Sequence, residues 1–310
     1  MIETRVGFSF VTMDCRQRSQ SPRITRLPAR DGGSISRRGF VGLAAAAIAG
    51  TADRGDGASP QDGPRRGSTK KGLGQTVKRP GWAQRLASLR CQWFYSWGPS
   101  IPEGMPRGPT FVPMIFRHGG DGRSIAGVAT AAKEAAITEL LGFNEPDAKE
   151  QGNMTVQQAL DAWPALMETG LRLGSPACVH PDNDWMKEFM AGVKKRGLRV
   201  DFIAIHSYGG PSAEALVRRL ETIHRMFERP LWITEFAVGD WKATRVEDNR
   251  HKPDTVLRFM ETVLPMLDRL DFVERYAWFA ADPSSGPLGT SALFDAAGGL
   301  TQLGRCYRDA

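Results

Sequence analysis

The sequence predicts a (β/α)₈ barrel that follows an N-terminal leader and a flexible linker. From residue 70 onward, short apolar runs alternate with longer segments of helical character, which is the pattern of parallel βαβ units. The run-and-helix unit recurs about eight times, which favours a closed barrel over an open sheet. The chain has 310 residues, and a barrel needs roughly 250 of them, so one barrel and a leader account for its length.

The first fifty residues have the features of an export signal. Arg37 and Arg38 are adjacent, Phe40 follows them, and an alanine-rich, weakly apolar segment occupies 41–50. Such a charged region, apolar region and small-residue end are typical of a bacterial twin-arginine signal peptide. The apolar segment is shorter than the ~20 residues of a membrane span. We therefore expect 1–50 to be a cleaved leader with no stable membrane anchor, transient contact with the twin-arginine export machinery, and a periplasmic or extracellular protein.

Residues 51–69 are predicted to form a disordered linker, and residues 70–310 the folded domain. The linker is rich in Gly, Asp, Ser, Pro and Arg, and such a composition cannot bury a core. Residues 1–68 hold 11 arginines and 6 acidic residues, so most of the formal charge of +7 lies ahead of the domain. The domain itself is nearly neutral and has no basic stripe with interleaved aromatic residues, so we expect no nucleic-acid partner.

The first half of the domain contains four predicted strands, each a short and mostly apolar run. Helices are expected after the first and third strands, because the segments there are longer and rich in Ala or Leu. The strands are 71–74, 92–97, 111–115 and 137–143, and the helices are 82–88 and 124–135. The fourth strand ends in the motif Asn144-Glu145-Pro146-Asp147.

The second half continues the same alternation. Parallel strands that are buried on both faces appear as continuous apolar runs, as in Phe202-Ile203-Ala204-Ile205. The strands are 171–175, 200–205, 231–234 and 273–279, and the helices are 156–170, 184–196, 213–227 and 253–267. The first strand has no glycine-rich phosphate loop after it, which disfavours a nucleotide-dependent α/β enzyme.

Two glutamates follow apolar strands at positions where a barrel carries its active site. Glu145 comes after the fourth strand and Glu235 after the seventh, and the C-terminal ends of barrel strands face one common cleft. A carboxylate is costly to bury without a function. Cleavage of a glycosidic bond needs two carboxyl groups, one that protonates the leaving oxygen and one that attacks the anomeric carbon or activates water. The pair therefore predicts a glycoside hydrolase.

Asn144, directly before Glu145, is a candidate for binding sugar, because an amide can hydrogen-bond a sugar hydroxyl. Pro146 forces the preceding residue out of helical conformation and turns the chain.

The chain has four cysteines, without metal-ligand spacing. We expect neither a metal nor a cofactor, because this chemistry requires none and no ligand cluster is visible.

Several motifs together resemble glycoside hydrolase family 128, the alkali-sensitive-linkage type of glycosyl hydrolase domain in the large clan with glutamates on strands four and seven. The central motifs are GFNEPD at 142–147, HSY at 206–208 and WITEF at 232–236. Supporting motifs are KKGLG at 70–74, WFYSW at 93–97, FVPM at 111–114, LGSPA at 173–177 and YAWF at 276–279. The family often has Trp between the His and Tyr of strand six, where this chain has Ser207.

The resemblance implies endo-acting hydrolysis of β-1,3-glucan with retention, by double displacement. By matched position, Glu145 would be the acid/base and Glu235 the nucleophile. The expected contacts to the sugar or the nucleophile come from Asn144, His206, Tyr208, Trp97 and Trp278.

The aromatic residues need separate interpretation, because alternate residues of a strand point to opposite faces. Tyr95 is a further candidate for sugar contact, although part of its strand must be core. Trp241 lies in the loop after Glu235 and is within reach of the cleft.

Two other interpretations remain open. One is a non-catalytic carbohydrate-binding protein of the cell envelope on the same barrel, which the presence of both Glu145 and Glu235 disfavours. The other is a hydrolase of a different β-glycan.

Overall fold

The computed structural model describes residues 67–117 and 123–310. The predicted leader and the linker up to residue 66 lie outside the described residues. Eight short strands form the centre of the domain. They are β1 Lys71–Gly74, β2 Trp93–Tyr95, β3 Thr110–Phe111, β4 Glu139–Leu140, β5 Arg172–Leu173, β6 Ile203–Gly209, β7 Leu231–Val238 and β8 Val273–Phe279.

Helices surround these strands. They are α1 Trp82–Ser88, α2 Arg123–Ala135, α3 Val156–Met167, α4 Asp184–Arg196, α5 Ala213–Phe227, α6 Pro253–Arg269 and α7 Gln302–Asp309. Side-chain caps fix several of their starts: Thr155 forms a capping box with Gln158 at α3, and Asn183 accepts the Met186 N–H at α4. The connection from β2 to β3 is a turn-rich loop. None of the helices in the described ranges is long and apolar enough to cross a membrane.

The strands close into a parallel ring. Six of them form one hydrogen-bonded sheet in the order β3-β2-β1-β8-β7-β6, and β4 pairs with β5. Parallel bridges Met114–Leu141 and Gly174–Phe202 join β3 to β4 and β5 to β6. The predicted parallel α/β architecture is confirmed, and these bridges complete a barrel of eight strands.

The pleat of each strand divides its side chains between two cores. Trp93, Tyr95, Phe202 and Trp232 fill the barrel interior, and a second apolar layer lies between the strands and the helices. Gly72 makes the interior possible, because a Cβ there would lie 2.2 Å from the indole ring of Trp93.

Ion pairs close the N-terminal end of the barrel. Arg172 binds Glu274 through two hydrogen bonds of 2.7 Å. Arg275 lies 3.1 Å from Glu139 and places its guanidinium 4.2 Å from the Trp232 ring centroid. Polar groups at this end of a barrel support stability rather than chemistry.

A buried lysine fastens the C-terminal helix beneath β1. Lys71 is fully buried, and its Nζ donates to the carbonyl oxygens of Tyr307, Arg308 and Ala310 at 2.7, 2.9 and 2.8 Å. The last carbonyl groups of a helix such as α7 have no N–H donor within the helix, because the helix ends there. Three charge-assisted hydrogen bonds therefore replace the hydration that the ammonium group loses.

Candidate active site

Strands β6 and β7 extend further toward the site than the sequence predicted. β6 runs through His206, Ser207 and Tyr208, and β7 continues past Glu235, whereas we expected these residues just beyond the strand ends. The register between β6 and β7 shifts at Ile205/His206, so that His206 lies opposite Glu235. A local irregularity of this kind re-aims side chains without ending a strand.

Glu145, His206 and Glu235 meet at the C-terminal mouth of the barrel. One carboxylate oxygen from each glutamate and one ring nitrogen of the histidine lie within 4.8 Å of one another. His206 is fully buried, with Nδ1 2.9 Å from Glu145 Oε1. Its Nε2 lies 3.2 Å from Glu235 Oε1 but has no partner in hydrogen-bonding geometry among the described residues. The histidine ring thus lies between the two carboxylates.

Three side chains donate hydrogen bonds to Glu235, which is 4% exposed. Tyr95 Oη and Trp97 Nε1 both donate to Oε1 at 2.8 Å, and Tyr208 Oη donates to Oε2. Hydrogen bonds to an ionised carboxylate are the strong kind and fix its orientation. The three donors therefore hold the Glu235 carboxylate in one orientation.

Glu145 is held in a backbone conformation that few non-glycine residues adopt. Its φ is +38°, in the left-handed region, which costs about 1–2 kcal/mol. Its N–H donates to the Ala177 carbonyl at 2.8 Å, and its carbonyl accepts from the N–H groups of Ala148 and Gly152. Strain of this kind persists only where the surroundings impose it, and it concentrates at functional sites.

Asn144 lies beside Glu145 with an unused acceptor. The residue is 3% exposed, and its Oδ1 has no hydrogen-bond partner in the described part of the chain. A buried amide oxygen without a partner is costly, so Asn144 Oδ1 is available to accept a hydrogen bond from a group that enters the site. Gly152 supports this position, because a Cβ there would lie 2.3 Å from the Asn144 carbonyl oxygen.

The charges of the two glutamates change the ionisation of their neighbours. Burial of the His206 ring opposes its protonation, but the negative charges of Glu235 and Glu145 outweigh that effect and raise its pKa. Burial, reinforced by the charge of Glu235, raises the pKa of Tyr95 and of Tyr208 well above the usual 10. Both phenols therefore stay protonated and remain donors to Glu235.

Aromatic side chains form the wall beside Glu235. Phe279 packs edge-on against Trp97 and Tyr208, with ring centroids 5.8 and 5.6 Å apart. Trp241 extends this wall outward, 5.8 Å from Tyr208, and is 52% exposed. Tyr95 is fully buried and reaches the Glu235 carboxylate rather than the open cleft, so the structure does not present it to sugar. Trp97 is partly exposed and Trp241 exposed, and sugar contact by these two residues stays a prediction. Phe279 was missed, and an inward-facing assignment for alternate residues of β8 would have found it.

The prediction that Trp278 offers a face to sugar is wrong. The residue is fully buried on the outer side of β8, where its Nε1 donates to the Ser291 carbonyl at 2.9 Å. Its ring packs against Phe236, 4.8 Å away, and Tyr307. The reason is the two-residue period of a strand: Ala277 and Phe279 point inward, so Trp278 points toward the helices.

Glu145, His206 and Glu235 also have the spacing of metal ligands. Both oxygens of Glu235 already accept hydrogen bonds from Tyr95, Trp97 and Tyr208. A cation bound at this carboxylate would have to displace those donors. The hydrogen bonding of Glu235 therefore fits a carboxylate that reacts itself rather than one that binds a cation.

Comparison with known proteins places the chain in a family. The model of the glycosyl hydrolase catalytic core family matches residues 73–307. Alkali-sensitive linkage protein 1 of Schizosaccharomyces pombe is 30% identical over 238 residues, which are 73% of this chain and 42% of that protein. The chain thus spans less than half the length of this curated relative.

Solved structures give the same result. An endo-β-1,3-glucanase of Amycolatopsis mediterranei (glycoside hydrolase family 128, subgroup I), solved as a glutamate-to-glutamine variant with laminarihexaose, is 36% identical, with a TM-score of 0.66 over 78% of this chain and 99% of that one. The subgroup II endo-β-1,3-glucanase of Sorangium cellulosum is 27% identical, with a TM-score of 0.63 over 77% and 97%. A subgroup VII oligosaccharide-binding protein of Trichoderma gamsii, 22% identical with a TM-score of 0.59 over 78% and 93%, shares the fold. The chain belongs to the glycosyl hydrolase catalytic core family, as a glycosidase of glycoside hydrolase family 128.

Proposed function

We propose that this protein is an endo-acting β-1,3-glucanase that cleaves with retention by double displacement. The separation of the two carboxylates carries the proposal: oxygens of Glu145 and Glu235 lie within 4.8 Å of each other. Retaining enzymes hold their carboxyl groups about 5–5.5 Å apart, whereas inverting enzymes need about 6.5–9.5 Å to admit water. The substrate class is supported by the family relatives that are endo-β-1,3-glucanases, one of them with laminarihexaose bound.

In the first step, Glu235 attacks the anomeric carbon while Glu145 protonates the departing glycosidic oxygen. The bond to the leaving sugar breaks and an ester to Glu235 forms. In the second step, Glu145, now ionised, removes a proton from water, and the water oxygen attacks the anomeric carbon and releases Glu235. Two inversions give net retention.

The surrounding residues prepare the two glutamates for these roles. Tyr95, Trp97 and Tyr208 orient the Glu235 carboxylate for attack, and charge stabilisation by fixed donors costs no reorganisation during the reaction. The unpartnered Asn144 oxygen would accept a hydrogen bond from a sugar hydroxyl. His206 contacts Glu145 and lies beside Glu235, so it can balance charge as the proton moves between substrate and Glu145.

Trp97 and Trp241 supply the flat faces on which sugar rings stack in this proposal. Trp241 is the more exposed of the two and lies farther from Glu235, beyond Tyr208. It would therefore bind a neighbouring sugar ring of the glucan chain rather than the ring that carries the reacting anomeric carbon.

A non-catalytic binding protein is the second candidate, because one protein with this fold is an oligosaccharide-binding protein. A binding protein has no need for a carboxylate held by three donors against a second carboxylate.

We also propose that the protein is exported by the twin-arginine pathway and resides in the periplasm or outside the cell. This proposal is supported by the sequence of residues 1–50.

The proposal is tested by release of reducing ends from a panel of β-glucans. We expect the wild-type domain to cut a β-1,3-glucan into oligosaccharides, and Glu145→Gln and Glu235→Gln to lose this activity while staying folded. A folded wild-type protein that binds the glucan without cutting it would support the binding protein instead. Cutting of a different β-glycan would correct the linkage but keep the mechanism.

A further inference from the structure

Asp147 is the member of the Asn144-Glu145-Pro146-Asp147 motif that the mechanism above does not use. Its carboxylate turns away from the cleft and toward the loop between β5 and α4. Oδ1 accepts the Val179 N–H at 3.0 Å, and Oδ2 accepts from Asn183 Nδ2 at 2.7 Å. One side chain of the β4 loop thus binds two points of the β5 loop.

The orientation of the Asn183 amide is fixed by its second contact. Its Oδ1 accepts the Met186 N–H at 2.9 Å and caps the start of α4. The amide nitrogen must therefore point to Asp147, and only an acceptor can satisfy it there. Asp147 binds α4 through this amide, and α4 is a helix of 13 residues packed on the barrel.

The same two loops also meet at Glu145. Its N–H donates to the Ala177 carbonyl at 2.8 Å, and Asn144 forms a parallel bridge with Ala177. Contacts from one loop to the other therefore lie on both sides of Pro146. Glu145, at a φ of +38°, makes one of these contacts itself and is joined through Pro146 to Asp147, which makes the others.

The charge of Asp147 acts on the site as well. It contributes, after Glu235 and Glu145, to the raised pKa of His206, and His206 Nδ1 contacts Glu145. A change at Asp147 would reach Glu145 both through the backbone and through this histidine.

We propose that Asp147 is a positioning residue for the acid/base: its bonds to Val179 and Asn183 fasten the β4 loop to the β5 loop and hold Glu145 where it meets the glycosidic oxygen. The inference rests on the proposed acid/base role of Glu145.

Exchange of the two partners tests this directly. Asp147→Asn turns an amide nitrogen toward that of Asn183, and Asn183→Asp turns a carboxylate toward that of Asp147, so each single variant breaks the contact. The double variant Asp147→Asn/Asn183→Asp restores it in reverse, because Asp is also a good helix cap and the new amide oxygen can still accept from Val179. Glu150→Gln, at an exposed position in the same loop, is the control for loss of one charge.

The readout is kcat/KM on two substrates with the same sugars. A laminari-oligosaccharide needs protonation of its leaving group, whereas a dinitrophenyl glycoside does not. We expect each single variant to lose at least about tenfold on the oligosaccharide and under about threefold on the dinitrophenyl glycoside, which are about 1.4 and 0.7 kcal/mol. The pH profile on the oligosaccharide should shift in the single variants, and the double variant should recover to within about threefold of wild type.

Equal losses on both substrates, no loss in either single variant, or no recovery in the double variant would overturn the inference. If the proposed acid/base role of Glu145 is wrong, the result will be different. Glu145→Gln itself will then lose equal activity on the oligosaccharide and on the dinitrophenyl glycoside. If a single variant does not fold, the double variant serves as the test. Failure of the double variant to recover activity would then contradict the positioning role of Asp147.

Discussion

At the scale of single residues, the site depends on how firmly Glu235 is held. Its Oε2 accepts from Tyr208 and its Oε1 from Tyr95 and Trp97, and the residue is nearly inaccessible to solvent. A hydrogen bond to a charged group contributes about 1.5–3 kcal/mol. Loss of one donor should therefore weaken catalysis without unfolding the protein.

We expect Tyr208→Phe to lower kcat/KM on β-1,3-glucan about 10- to 100-fold, since 1.4 kcal/mol corresponds to a factor of ten. The ring remains, so its edge-to-face contacts with Phe279 and Trp241 are kept. Steady-state kinetics measure the loss, and thermal unfolding serves as the control for folding. Activity within twofold of wild type would show that this hydrogen bond does not matter for attack.

The two tryptophans Trp241 and Trp278 should respond in opposite ways to truncation. Trp241→Ala should raise KM for long oligosaccharides several-fold and leave stability unchanged, because half of the side chain is exposed. Trp278→Ala should destabilise the fold by about 3–5 kcal/mol, because it removes a fully buried ring. Kinetics and urea unfolding of both variants measure the contrast, and a stability loss in Trp241→Ala would contradict the assignment.

His206 makes stability depend on pH. Its folded-state pKa is raised, by Glu235 and Glu145 against the effect of burial, relative to about 6.5 in an unfolded chain. Its contribution is fully present below about pH 6.5 and is lost as the pH rises through the higher folded value. We expect the free energy of unfolding to fall across that window, and to fall less in His206→Gln. Parallel slopes for both proteins would contradict the ionised histidine.

At the scale of elements, the strands show what sequence can and cannot specify. Helices 82–88, 184–196 and 213–227 and strand 273–279 were predicted with the observed bounds. The predicted C-terminal ends of β6 and β7 come too early, because the register shift at Ile205/His206 has no signature in the sequence. Trp278 was placed on the wrong face, because strands buried on both sides carry no polar alternation that reveals the pleat.

The anchor between β1 and α7 gives a prediction at this scale. Lys71→Met should lower the free energy of unfolding by about 3 kcal/mol, because it leaves carbonyl groups of Tyr307, Arg308 and Ala310 without their donor. The folded fraction should keep its activity, because the lysine lies at the end of the barrel away from Glu235. Urea unfolding with kinetics at low temperature measures both, and an unchanged midpoint would contradict the role of the anchor.

At the scale of the whole molecule, the barrel separates stability from chemistry. Arg172–Glu274 and Arg275–Glu139 close its N-terminal end, and Glu145, His206 and Glu235 meet at its C-terminal end. The barrel and both glutamates could be predicted, because a carboxylate directly after a buried apolar strand is costly unless it serves a site. The sequence also marked His206 and the residues that prove to be donors to Glu235 as candidates. It could not show that the histidine ring lies between the two carboxylates or that three side chains donate to Glu235, because these contacts depend on side-chain geometry.

The central claim is that Glu235 forms a covalent bond to the sugar. Incubation with a 2-deoxy-2-fluoro laminaribiosyl fluoride, which slows the second step, followed by mass spectrometry of the digested protein, tests it most directly. We predict one adduct per protein molecule, on the peptide that contains Glu235 and at that residue. Hydrolysis without any adduct, or an adduct on Glu145 in place of Glu235, would contradict the double displacement proposed for this site.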